Sequence, residues 1–80
     1  MMNELTKEVN LLIEKATREL LQMIKRNQEL IELANKKLAK NDIEAIHLLD
    51  EVQENLSLIN DKENLLNNYK NNMQLILQGV

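Results

Sequence analysis

Two stretches of equal length, residues 4–39 and 43–78, each carry an apolar stripe at helical spacing, and only Lys40-Asn41-Asp42 lies between them. So short a connection leaves consecutive helices side by side and antiparallel. There is no proline, and the single glycine is Gly79, so neither stretch contains a helix breaker. Runs of β-branched residues, which would favour strands, are missing. The pattern predicts an all-α fold, a long antiparallel helical hairpin forming a single domain over residues 1–80.

The first arm is expected to begin after Asn3, a good cap residue, with Glu4 near the positive end of the helix dipole. Its inward stripe reads Val9, Ile13, Ala16, Leu20, Met23/Ile24, Asn27, Leu30/Ile31, Ala34 and Leu38. The steps alternate four and three, the spacing of a coiled-coil seam. Lys36, Lys37 and Lys40 gather where positive charge suits a helix carboxyl terminus.

The second arm opens on Asn41-Asp42-Ile43-Glu44, which reads as a capping box with Asn41 as cap and Glu44 reaching back. Its inward stripe is expected at Ala45, Leu49, Val52, Leu56, Ile59, Glu63, Leu66, Lys70, Met73, Leu77 and Val80. Glu63 and Lys70 break it, and near them the apolar face drifts toward Tyr69 and Ile76. Asn60-Asp61 offers a second cap, so a third short helix is the alternative to a two-helix chain. A turn near residues 40–41 brings to one level residues whose numbers sum to about 81, which puts Glu63 beside Arg18 and Asn27 beside Glu54 or Asn55. Polar groups at such positions most often fix register, and Glu63 is read as one half of an ion pair at the core edge.

At 80 residues a single core is marginal. Hydrophobic residues make up 44% of the chain, yet Phe and Trp are absent and Tyr69 is the only aromatic. Such aliphatic side chains suit helix-on-helix packing. Many lie off the stripe: Leu5, Leu12 and Leu33 on the first arm, and Ile43, Ile46, Leu58, Leu65 and Leu75 on the second. Leu58 and Leu65 are one heptad apart and point the same way. An unpartnered hairpin would leave these residues wet as contiguous patches. A cover is therefore expected: a second copy giving a dimeric four-helix bundle, a third short helix, or a client protein.

Charge and residue types narrow the function. The net charge of −3 divides unevenly, +2 over residues 1–40 and −5 over residues 41–80, which favours pairing of the arms and disfavours nucleic-acid binding. Cysteine is absent, which removes disulfides, thiolate metal sites and cysteine nucleophiles. His47, the only histidine, has Glu44, Asp50 and Glu51 at helical spacing, but a stable metal site needs three or four converging ligands. Ser57, the only serine, lies about 15 Å along the axis from it, too far for a nucleophile–base pair. With no glycine-rich phosphate loop either, the chain is read as a non-enzyme without metal or cofactor. The start, Met1-Met2-Asn3-Glu4, lacks the basic and apolar segments of a signal peptide, and no apolar run is long enough to span a membrane, so a cytoplasmic location is expected. The region from Asn64 to Gln78 is rich in Asn and Gln and is expected to fray unless docked.

The segment Asn41-Asp42-Ile43-Glu44-Ala45-Ile46-His47-Leu48-Leu49-Asp50-Glu51-Val52-Gln53-Glu54-Asn55-Leu56 resembles the flagellar type III export chaperones of the FliT and FlgN type. In that family a long first helix ends in a short acidic turn, followed by a second helix with a Leu-Leu-Glu-Glu-x-Gln-like run. Leu30-Ile31-Glu32-Leu33-Ala34-Asn35-Lys36-Lys37-Leu38 also fits, whereas Val52 stands where the family usually has a charge. The resemblance implies a cytoplasmic chaperone that shields the helical terminal segment of a filament-cap or hook-associated protein. Its mode would be helix-in-groove binding, with Leu58, Leu65, Leu66, Tyr69, Met73 and Ile76 as the candidate partner-binding residues. A competing reading is a small inhibitor or regulator, for example phage-encoded, in which Asp42, Glu44, Asp50, Glu51 and Glu54 mimic an anionic ligand. A structural homodimer is the third.

Overall fold

The computed structural model describes residues 2–78. Met1, Gly79 and Val80 lie outside the described residues, as do the side chains of Met2, Asn3, Ile76 and Leu77. Two helices account for the rest, α1 (Met2–Ala39) and α2 (Glu44–Gln78), packed along their length into an antiparallel hairpin. The molecule measures 60 × 15 × 12 Å, so it is one helix pair wide throughout. α1 starts at Met2, which puts Asn3 inside the helix instead of at its cap. α2 runs unbroken past Asn60-Asp61, so the three-helix alternative does not form. An exposed Asp61 on a continuous helix competes poorly with the packing on either side.

The turn is built from two interlocking caps. Asp42 N–H donates to the Lys37 carbonyl (2.9 Å) and Asn41 N–H to the Leu38 carbonyl (3.0 Å), the paired bonds of a Schellman motif. Asn41 provides the left-handed residue this motif needs, at φ 56°. The carboxylate Oδ1 of Asp42 then accepts from Glu44 N–H (3.0 Å) and caps α2. The expected capping box is thereby corrected. Asn41 closes α1 and Asp42 opens α2, because a residue held in the left-handed region cannot also take the extended conformation of an N-cap. Lys37 ties the two ends together, reaching Asp42 (3.3 Å) and Glu44 (2.8 Å).

The seam on α1 follows the expected stripe. Ala16, Leu20, Asn27 and Ala34 are buried, with Val9, Ile13, Met23 and Leu30 half-buried between them. On α2, Ala45, Val52, Ile59, Leu66 and Met73 are buried at strict seven-residue intervals. The intervening positions differ from expectation by one residue. Leu48, Asn55, Lys62 and Tyr69 turn inward, whereas Leu49, Leu56, Glu63 and Lys70 are exposed. Glu63 therefore does not pair with Arg18. Its neighbour Lys62 forms an ion pair with Glu19 instead. Asn55 Nδ2 donates to Oδ1 of Asn27 (3.2 Å), the neighbour expected from the turn position. The Glu19–Lys62 bridge runs beside the packed centre, where Ala16, Leu20, Ile59 and Leu66 meet under Ile13, Met23, Ile24 and Tyr69, and the Asn27–Asn55 bond lies on its turn side. Nearer the turn, the fully enclosed Ala34 and Ala45 let the backbones approach closely.

Candidate interaction surfaces

A two-helix hairpin has one seam and two flanks, and here the flanks differ in chemistry. Residues just before the inner position that ends each four-residue step lie on one flank, and those just after the inner position that begins it lie on the other. The first flank collects Leu12, Glu19 and Arg26 from α1 with Glu51, Leu58 and Leu65 from α2. Two shallow hollows run along it. One is lined by Leu12, Lys15, Glu19, Lys62, Leu65 and Tyr69 above Ala16, and the other by Met23, Arg26, Glu51, Asn55 and Leu58. The Glu19–Lys62 bridge lines the first hollow. Leu58 is 56% exposed and Leu65 39%, one heptad apart and on the same side, as the spacing predicted.

The second flank carries Ile24, Ile31 and Leu38 from α1 and Leu49 and Leu56 from α2, on both sides of a groove that reaches Asn27, Gln28 and Ile59 and ends at Glu63. Its apolar part lies in the half of the hairpin nearest the turn. Sequence reasoning assigned these five residues to the buried stripe and so missed them as a surface. The signal was present: a helix with apolar residues at three positions per heptad has a wider face than one partner helix can cover.

Electrostatics single out the bridges. The hydrogen bond from Lys62 holds the Glu19 carboxyl below its ordinary range. Bonds donated to Glu44 and Asp42 raise the Lys37 ammonium. The Asp42 carboxyl is lowered, chiefly by the Glu44 N–H and then by Lys37. All three shifts have structural partners, which accounts for them without a catalytic role.

Of the candidate partner-binding residues, Leu58 and Leu65 are exposed, and Tyr69 is half-buried at the wall of the first hollow. Leu66 (7% exposed) and Met73 (9%) close the seam against α1, so they are not available as a docking face. The Ile76 side chain lies outside the described residues. Ser57 and His47 are exposed and stand apart, and among the described residues no three His, Asp or Glu side chains gather as metal ligands. No described helix is long and apolar enough to cross a membrane. No family model, curated protein or solved structure matches the chain.

Proposed function

We propose that the protein is a non-enzymatic binding module that masks an amphipathic helix of a client protein, in the manner of an export chaperone. The observation that carries this reading is the first flank, where Leu12, Leu58, Leu65 and Tyr69 edge an open furrow between the two helices. A third helix laid in that furrow buries its apolar stripe against these residues. Charges of both signs, Lys15, Arg26 and Glu51, line the rim and give a client helix something to read in setting its direction. The resemblance of residues 30–38 and 41–56 to FliT- and FlgN-type chaperones supports a filament-cap or hook-associated protein as client. The inhibitor reading has less support. Two of its five carboxylates, on Asp42 and Glu44, are already engaged by Lys37.

The test is capture from a lysate of the source cell, with identification by mass spectrometry and Leu58→Asp/Leu65→Asp as control. Recovery of a secreted filament protein that the double variant fails to hold is the expected result. An unrelated enzyme, recovered equally by both forms and released by moderate salt, would replace the chaperone reading with the inhibitor.

A further inference from the structure

The second flank has a property the first lacks: between Leu21 and Leu38 on α1, and between Ile46 and Asn60 on α2, it carries no charge. The positions around Ile24, Ile31, Leu38, Leu49 and Leu56 are filled by amides, Gln28 and Asn35 on α1 and Gln53 and Asn60 on α2. In a chain that is 29% charged, a neutral surface of this kind is unusual, and depletion of charge is the mark of an interface centre. We infer that a second copy of this chain packs on the uncharged flank, giving a four-helix bundle with both turns at the same end.

Three observations select the second copy as occupant. A two-fold interface places a patch against itself, and a neutral patch does so without like-charge repulsion. Width is the second. A single helix seated in the groove covers Ile24, Ile31, Leu49 and Leu56, but Leu21 (60% exposed) and Ile46 (56%) lie further round the two helices and stay wet. A partner two helices wide covers them too. Arm charge is the third and fixes the arrangement. A two-fold axis along the hairpin lays the positive first arm of each copy on the acidic second arm of the other. An axis across the hairpin would instead set like arms together. The lengthwise axis also keeps the two apolar half-flanks level, since both end at the turn, and every neighbouring pair of helices is antiparallel.

The reading is independent of the client furrow, which lies on the opposite flank and stays open in the dimer. Sedimentation equilibrium of the purified chain is expected to give a dimer. Ile31→Lys/Leu49→Lys should weaken it by at least about ten-fold, whereas Leu58→Asp/Leu65→Asp leaves it intact. Far-UV circular dichroism at matched concentration reports whether each variant keeps its helices. Because the chain has no cysteine, a cross-link gives a second readout that needs no disruptive change. Gln28→Cys and Gln53→Cys chains, mixed in equal amounts and oxidised, should join to each other in preference to themselves. A wild-type chain that stays monomeric, a dimer lost only in the Leu58/Leu65 variant, or Gln28→Cys joining mainly to itself would overturn the proposal.

Discussion

Asn41 and Asp42 do different work although they are neighbours of similar shape. Asn41 sits at φ 56°, where a Cβ costs about 1–2 kcal/mol in an ordinary residue and asparagine is among the few that tolerate it. Asn41→Gly should therefore hold or raise the unfolding midpoint in urea, and Asn41→Ala should lower stability by about 1 kcal/mol. Asp42 is sensitive to pH. Its carboxyl titrates lower in the folded chain because the charged form accepts from Glu44 N–H and meets Lys37. A depressed carboxyl stabilises the fold above its unfolded value of about 4, and that contribution is lost as pH falls through the folded value. Thermal unfolding followed from pH 7 to 2 should show a falling midpoint below pH ~4, with a shallower fall in Asp42→Asn. Equal slopes in the two proteins would mean that Asp42 is not the group titrating.

At the scale of the helix, the sequence leaves one ambiguity that packing resolves. Leu48 and Leu49 are both leucine, so either can follow Ala45 into the seam, and apolarity alone favours the line through Leu49 and Leu56. That line would bury Glu63 and Lys70 further along. The line through Leu48 turns Asn55 and Lys62 inward instead, half-buried, and each of these finds a partner on α1, in Asn27 and Glu19. A polar group inside a seam is tolerated when it is bonded, so pairing across the hairpin outweighs local hydrophobicity. Element type, turn position and the level of Asn27 against Asn55 were legible because they depend on local pattern and length. The choice between adjacent positions on α2 was not, because it depends on which polar residues meet on a different helix. One pair of neighbours tests the assignment. Leu66→Ala should cost about 2–4 kcal/mol in urea unfolding, the ordinary range for a buried leucine, and Leu65→Ala within about 1 kcal/mol. Similar costs at both positions would place the seam elsewhere.

The molecule as a whole has two layers and very little interior. Among the described residues no large side chain is fully enclosed, and fourteen large apolar residues are exposed on a hairpin only 15 × 12 Å in cross-section. Conformational entropy scales with all the ordered residues, whereas burial scales with one seam, so the isolated hairpin has little margin against unfolding. Pairing of two copies through the uncharged flank doubles the packed surface and makes folding a second-order process. Stability then depends on protein concentration by mass action. A hundred-fold dilution changes the association term by about 2.7 kcal/mol, shared between two chains, which in a domain of this size corresponds to a fall in Tm on the order of 5–10 °C. Helical circular dichroism melts at two concentrations a hundred-fold apart measure this directly. Ile31→Lys/Leu49→Lys should melt at the same lower temperature at both concentrations, having already lost the partner. A wild-type midpoint that does not move on dilution would mean that the seam alone, with its aliphatic rows and its two polar bridges, is enough to hold the hairpin.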